Sequence, residues 1–141
     1  MTEERYSNIV IKGVLMPETQ VAVFRDKDGS IPLQAWFESL EAQCPKAFEK
    51  LAARILLLSR FGHELRRPHA DFLRDGVYEL RERLMKVQYR VLYFFHGQNM
   101  AVLSHGLTKE GKVPDKEINK AIRNRALVAL DSDRHTADWE A

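Results

Sequence analysis

The sequence predicts an α+β domain in which a small twisted antiparallel sheet packs on two N-terminal helices and a C-terminal helix follows. Three observations predict this fold class. Apolar residues recur at helical spacing between residues 31 and 62, strand-like runs follow between residues 77 and 107, and a second helical pattern begins at Pro114. The 141 residues suffice for one domain with a hydrophobic core.

The sequence predicts one strand and two helices in the N-terminal part of this domain. Residues 21–24 predict a short strand that ends before Asp28-Gly29, a frequent turn pair. The helical pattern at 31–62 contains Pro45, and a proline inside a helical pattern breaks or kinks the helix. We therefore expect two consecutive helices, the second of which ends at Gly62.

Three strands and a last helix are predicted in the C-terminal half. A polar loop at 63–76 is expected to precede strands at 77–84, 88–95 and 100–107. Because the connections between these strands are short, they imply an antiparallel meander. The last helix is expected from Pro114 to Leu130, since proline fits the first turn of a helix.

Three arginines lie inside the predicted strands, although arginine is seldom fully buried. Alternate residues of a strand share a face, so Arg81 and Arg83 lie on the same face of their strand. In the next strand, Arg90 lies on the face opposite to that of Tyr89 and Tyr93. With helices packed on one side of the sheet, an open second face would carry these arginines. The alternative is cross-strand pairing with Glu79 or Glu82, which stabilises an exposed sheet by only tenths of a kcal/mol.

The charge distribution places a basic middle between acidic ends. Residues 54–125 contain 15 of the 22 Lys/Arg but only 8 of the 20 Asp/Glu. This distribution is typical of proteins that bind a polyanion, although scattered solvated charges would give the same counts. We expect the domain at 21–130, an N-terminal extension at 1–20 and an acidic tail at 131–141. One hypothesis for the tail is that it folds over the basic face.

Composition excludes several classes of protein. The single cysteine, Cys44, excludes an internal disulfide framework and a Cys-rich zinc site. No apolar run approaches the roughly 20 residues that span a bilayer. The acidic start does not read as a signal peptide, so a cytoplasmic protein is expected. The spacing of the histidines in the loops and the tail does not indicate a metal site, so none is expected.

Five ordered motifs in the second half of the chain are more specific than any single pattern. They are Gly-Val-Tyr-Glu-Leu-Arg at 76–81, Tyr-Arg-Val-Leu-Tyr-Phe at 89–94, Leu-Ser-His-Gly-Leu at 103–107, Thr-Lys-Glu-Gly-Lys at 108–112 and Val-Pro at 113–114. In this order and spacing they closely resemble the phage-derived-protein branch of the RelE/HigB toxin family, the toxin halves of bacterial type II toxin–antitoxin pairs. The upstream helices also match, so the resemblance covers residues 20–126.

The resemblance implies the RelE/ParE-like toxin fold and a metal-independent endoribonuclease, an mRNA interferase that promotes attack of the RNA 2′-hydroxyl on the phosphodiester. It further implies messenger RNA and the ribosome as partners, no cofactor, no membrane, and a cognate antitoxin that commonly carries a helix-turn-helix. Because a fold alone does not determine activity, two alternatives stay open. One is a non-enzymatic or degenerate toxin-fold module that binds nucleic acid or antitoxin, and the other is a gyrase-directed toxin.

The resemblance also implies which residues form the site. Arg90 matches a phosphate-stabilising position, and Arg81 matches a position where related toxins carry a basic catalytic residue. Their planar forks suit bidentate phosphate contacts, although arginine cannot act as a base. Glu79 is expected either to accept a proton or to orient Arg81. Lys109, in the family's Lys-Lys loop, is the leading candidate for proton transfer or a phosphate contact, although Glu110 replaces the second lysine. Further RNA-binding candidates are Arg83 and Lys112, together with Lys116, Lys120 and Arg123, whose spacing places them on one face of the last helix.

His105 is the histidine with the clearest alternative roles. Histidine titrates near neutral pH and is a frequent general acid or base. However, His105 lies inside the third predicted strand, where a lone histidine is more often a packing residue or bonds the backbone. The packing role is therefore the preferred interpretation.

Overall fold

A computed structural model describes residues 8–11 and 14–140 of the chain. Within these ranges the protein is a mixed α+β structure with a mostly antiparallel six-stranded sheet and helices both before and after it in the chain. Strands β1 (Asn8–Ile11) and β2 (Val14–Pro17) form a separate antiparallel pair. The rest of the expected N-terminal extension up to residue 13, and the last residue of the expected tail, lie outside the described residues.

The predicted helices are confirmed, with close bounds. Pro45 lies in the first turn of the second helix, and Gly62 ends that helix with a φ of 51°, a left-handed conformation that glycine adopts readily. None of the helices in the described ranges is long and apolar enough to cross a membrane. The helices are α1 (Pro32–Gln43), α2 (Pro45–Phe61), α3 (Asp115–Leu130) and a single turn, α4 (Ser132–His135).

The six-stranded sheet contains the predicted meander and three features that the sequence did not predict. Its order is β4-β5-β6-β7-β3-β8, in which β5, β6 and β7 are antiparallel neighbours. The bounds are β3 (Gln20–Phe24), β4 (Ala70–Arg74), β5 (Val77–Leu84), β6 (Val87–His96), β7 (Met100–Thr108) and β8 (Thr136–Asp138).

The prediction of a purely antiparallel sheet is wrong at β3, which pairs with β7 in parallel. A parallel pair needs a long connection, and here the chain between the two strands includes α1, α2 and strands β4 to β6. The predicted polar loop contains β4, which pairs antiparallel with β5 and includes a register shift between Phe72 and Arg74. The expected tail contributes β8, which pairs antiparallel with β3 at the opposite edge of the sheet from β4.

Helices α1 and α2 cover one face of the sheet. Burying each large apolar side chain of this layer contributes about 1.5–3 kcal/mol relative to exposure. The contacts are made between Leu33, Phe37, Leu51 and Ile55 of the helices and Leu80, Tyr89, Val91 and Tyr93 of the sheet.

Helix α3 covers part of the other face, so the expectation of an open second face is wrong there. Val77 and Leu92 of the sheet pack with Ile118 and Ala121 of α3. The charged residues Glu79, Arg81 and Arg90 of β5 and β6 line a cavity next to this apolar layer. The Arg81 side chain is 31% exposed there. The end of α3 therefore determines where the apolar layer stops and a polar cavity begins.

Candidate functional site

An open cavity of about 480 Å³ lies between β4, β5, β6 and the loop that precedes α3. Its charged lining has five basic and three acidic side chains, which leaves a positive excess suited to an anionic ligand. These charged residues are Arg67, Asp71, Arg74, Glu79, Arg81, Arg90, Lys112 and Asp115.

Arg81 and Arg90 lie directly opposite each other in the register of β5 and β6. Side chains at such positions share a face, and like charges there repel each other. The Glu79 carboxylate lies close to both guanidinium groups. Its Oε1 is 3.3 Å from Arg90 Nη1, and its Oε2 is 4.0 Å from Arg81 Nε. One carboxylate therefore offsets the repulsion between the two arginines.

The Arg90 side chain is held in a defined orientation. It is 92% buried, and its Nη2 donates a hydrogen bond of 2.5 Å to the carbonyl oxygen of Gly111. Gly111 has a φ of 72°, a conformation that residues with a Cβ adopt rarely, so the loop backbone suits glycine at this contact. Arg90 Nε has no hydrogen-bond partner among the described residues.

The Glu79 carboxyl group is buried and incompletely bonded. Its Oε1 has no hydrogen-bond partner in the described part of the chain, although the Arg90 charge is near. Burial raises the pKa of Glu79, and the positive charges of Arg90 and Arg81 oppose this rise. A carboxyl group with a raised pKa exchanges protons closer to neutral pH, which suits acid–base chemistry.

The outer part of the cavity is more exposed and partly neutralised. Arg67 donates two hydrogen bonds, of 2.7 and 3.1 Å, to one Asp71 oxygen, and the hydrogen bond from Arg67 lowers the pKa of that carboxyl. Arg74 lies 2.8 Å from Asp75 and 3.6 Å from Asp115. Arg67 and Arg74 therefore lie where they can contact the outer part of a ligand, and they do not form the floor of the cavity.

The structure brings Glu79, Arg81, Arg90 and Lys112 together but places Lys109 outside the cavity lining. Lys109 is exposed at the end of β7, where its backbone N–H donates to Gln88. Lys112 is exposed and, in the residues described, takes part in no ion pair.

The predicted outer RNA-binding residues do not share the cavity. Arg83 lines a neighbouring cavity with Arg81 and lies 3.9 Å from Glu110. On α3, Lys116 is exposed, Lys120 lies 3.4 Å from Glu117, and Arg123 lies 3.1 Å from Asp26. These ion pairs reduce the free positive charge of the α3 surface.

Sequence reasoning missed the contribution of β4 to the site. Arg67, Asp71 and Arg74 stand in the segment 63–76, whose polar composition predicts a loop. The available signal was its content of three arginines within nine residues, 66–74, next to the strand that carries Glu79. The strand is not predicted from the sequence because it has only five residues.

His105 lies in a buried polar network rather than in the cavity. Its Nδ1 is 2.8 Å from Ser104 Oγ, and its Nε2 is 3.0 Å from Glu117 Oε1. Asn124 Nδ2 donates to Ser104 Oγ at 2.9 Å. Burial lowers the pKa of His105, and Lys120 adds to this effect. The network links β7 to α3, which supports the packing role preferred for this histidine.

The acidic tail does not cover the cavity in the residues described. Strand β8 lies at the opposite edge of the sheet from β4. The Arg25 guanidinium donates hydrogen bonds to the carbonyl oxygens of Asp133, Arg134 and Thr136, and His135 Nδ1 lies 2.8 Å from the Arg25 carbonyl oxygen. These contacts attach the tail to the end of β3.

Comparison with known proteins identifies the family. A search of curated proteins found no match. The family model described as phage derived protein Gp49-like (DUF891) matches residues 35–126, well over half of the chain. This range includes β4 to β7 and every residue that lines the basic cavity. The chain therefore belongs to the Gp49-like family of phage-derived proteins, a family of RelE/HigB-like toxin type.

Proposed function

We propose that this protein is the toxin of a type II toxin–antitoxin pair and a metal-independent endoribonuclease that cleaves messenger RNA on the ribosome, in the cytoplasm. The family, which suggests a toxin with a cognate antitoxin, supports the first part of the proposal. One observation carries the second part. Arg81 and Arg90 face each other across β5 and β6, with the buried Glu79 carboxylate between them, in the floor of a basic cavity.

In this reaction the RNA 2′-hydroxyl oxygen forms a bond to the adjacent phosphorus, and the bond from phosphorus to the 5′-oxygen breaks. Negative charge grows on the phosphate oxygens as the new bond forms. Two guanidinium groups held in place before the reaction stabilise this charge without reorganisation, which is the effective form of electrostatic catalysis. Arg81 and Arg90 supply these groups, and the contact to Gly111 orients the second of them.

The proton transfers require groups other than the arginines, since arginine stays protonated. Glu79 is the proposed general base for the 2′-hydroxyl proton because its pKa is raised by burial and its Oε1 lacks a hydrogen-bond partner in the described chain. Lys112 lines the same cavity and is the proposed donor to the leaving 5′-oxygen. Lys109, at the end of β7, is proposed as a contact to an outer phosphate.

The remaining basic residues are proposed to position the RNA. Contacts to phosphate determine register and orientation, and their loss weakens binding in a salt-dependent way. Arg67 and Arg74 border the cavity, and their ion pairs are exposed enough to exchange for phosphates. The same role is proposed for the outer set, which consists of Arg83, Lys116, Lys120 and Arg123.

The test is induction of the protein in cells that lack its antitoxin. We expect growth arrest together with new 5′ ends in translated messages, and we expect Arg90→Ala to relieve both. Arg60→Ala is the matched control, because Arg60 is exposed at the end of α2 and remote from the cavity lining. Thermal melting of each purified variant separates lost activity from lost folding. Normal growth with intact messages, after confirmed expression of folded protein, contradicts the proposal.

The buried carboxylate also supports a second candidate function. Glu79 already neutralises part of the arginine pair, as Glu110 does for Arg83. A degenerate toxin that binds nucleic acid or antitoxin without cleaving RNA fits this reduced charge. Stable complex formation, with translated RNA left intact under the same conditions, would favour this candidate over the nuclease.

A further inference from the structure

A second groove, of about 400 Å³, lies on the helix-covered side of the sheet between α1 and the C-terminal tail. We call it the acidic groove. Its floor is aromatic. The Phe37 ring centroid lies 5.2 Å from that of Phe48 and 5.5 Å from that of Trp139. Phe48 and Trp139 are only half-buried, so part of their apolar surface faces the groove.

Carboxylates line the acidic groove on both sides. Glu38 and Glu41 stand on α1, and Asp138 and Glu140 stand on the tail. All four are exposed, and the groove lining contains neither lysine nor arginine. None of the four takes part in an ion pair in the residues that the structure describes. The groove therefore combines an apolar floor with four uncompensated negative charges.

The apolar floor and the negative charges together indicate which kind of ligand the groove can bind. An amphipathic segment places its apolar side chains in a groove, and charges of opposite sign on both rims determine its register and speed its association. Nucleic acid and anionic lipid surfaces carry the same sign as the rims and are repelled. We propose that the acidic groove is the docking site for a cationic amphipathic segment of a protein partner, with lysine or arginine on both sides of an apolar stripe.

The position of the acidic groove makes this docking independent of the proposed nuclease. Asp138, Trp139 and Glu140 lie beyond residues 35–126, the range matched by the family model. Strand β8 lies at the opposite edge of the sheet from β4, and the groove is on the helix-covered face, away from the basic cavity. A partner bound in the groove would leave the cavity open.

The test uses the full chain and a synthetic helical peptide of about four turns with a leucine stripe flanked by lysines. The matched probe has glutamate in place of each lysine. Nuclear magnetic resonance follows the indole N–H of Trp139, whose signal is assigned by its absence from the Trp139→Phe spectrum. We expect a saturable shift with the lysine peptide, weakened by added salt, and none with the glutamate peptide.

A pair of charge-reversal variants locates the binding. Glu41→Lys should raise the Kd of the lysine peptide roughly threefold to tenfold, in line with reversal of one exposed ion pair. Glu49→Lys makes the same charge change on α2, outside the groove lining, and should leave the Kd unchanged. Retained thermal melting in both variants shows that the comparison is between folded proteins.

Several results would overturn the docking proposal. They are the absence of a saturable Trp139 shift, equal binding of the glutamate peptide, and equal weakening by the two lysine variants. A Trp139 shift caused by single-stranded RNA or by phosphatidylglycerol vesicles would assign the groove to another class of ligand. A shift that depends on protein concentration alone would assign it to a second copy of this chain. Failure of the nuclease test leaves all of these outcomes unaffected.

Discussion

Under the proposed nuclease function, we expect Glu79→Gln to separate RNA binding from RNA cleavage. The glutamine keeps the shape of the side chain but removes both the negative charge and the basic oxygen. Unit charges 4.0 Å apart, the Glu79–Arg81 distance, interact by about 4 kcal/mol at an effective dielectric constant of 20. An incoming phosphate competes with the carboxylate for this attraction. Since the cavity is open to solvent, we expect a gain in affinity of about tenfold, which corresponds to about 1.4 kcal/mol.

Cleavage should change in the opposite direction. Loss of a positioned general base typically slows a reaction by about 10²- to 10⁴-fold. Because burial raises the pKa of Glu79, the wild-type rate should rise with pH through a window above the ordinary carboxyl value of 4.5, and the variant should lack this rise. The folded state also retains a proton that the unfolded chain has released in this window. The wild-type free energy of unfolding therefore decreases as pH rises through it, and Glu79→Gln removes that decrease.

Two assays measure these effects. Fluorescence anisotropy with an RNA carrying a 2′-deoxy substitution at the cleavage position gives affinity without turnover, and single-turnover reactions on programmed ribosomes give the cleavage rate. Glu49→Gln, an exposed change on α2, is the control. Tighter binding with an unchanged rate would refute the general-base role of Glu79. Weaker binding would show that the carboxylate positions the arginines rather than competing with the phosphate.

Three further predictions concern the fold. Arg54→Met leaves the 92%-buried Glu82 carboxylate without its ion-pair partner at 2.7 Å. The free energy of unfolding, measured by urea titration, should therefore fall by about 3 kcal/mol, and a loss below about 0.5 kcal/mol would contradict this. Gly106→Ala places a Cβ against the Trp36 ring, so thermal unfolding should show a loss of about 1–3 kcal/mol, and an unchanged melting temperature would show that the ring moves freely. Because burial lowers the pKa of His105, the folded state binds fewer protons than the unfolded chain, and stability should fall as pH drops below 6.5. His105→Gln should lack this fall in urea titrations across pH, and an identical pH profile would contradict the prediction.

The helices and the meander could be predicted because their signals are local. Pro45 and Gly62 mark the ends of helices through their own backbone restrictions, whatever the rest of the chain does. The alternation in residues 77–107 determines which side chains share a face, so the common face of Arg81 and Glu79 was predictable as well. Local signals of this kind need no knowledge of distant partners.

The pairing of the short strands could not be predicted in the same way. β4 and β8 have five and three residues, and each forms only against a neighbour that is already in place. The parallel pairing of β3 with β7 joins residues about 80 positions apart, such as Gln20 and Met100. Such contacts are decided by how helices and sheet close around the core rather than by any local pattern.

The sequence by itself predicted the α+β class, a common face for Arg81 and Arg90 and the resemblance to a toxin family, because periodicity, turn residues and ordered motifs are properties of the chain. That the two arginines lie directly opposite each other came from the register of β5 and β6. Only the tertiary structure decided that Lys112 rather than Lys109 lines the cavity, that β4 and the segment before it contribute Arg74 and Arg67, and that the tail forms a groove with α1. The physical reason is that a site is made of side chains whose distances are set by packing. Packing depends on contacts between residues far apart in the chain, which no stretch of sequence contains alone.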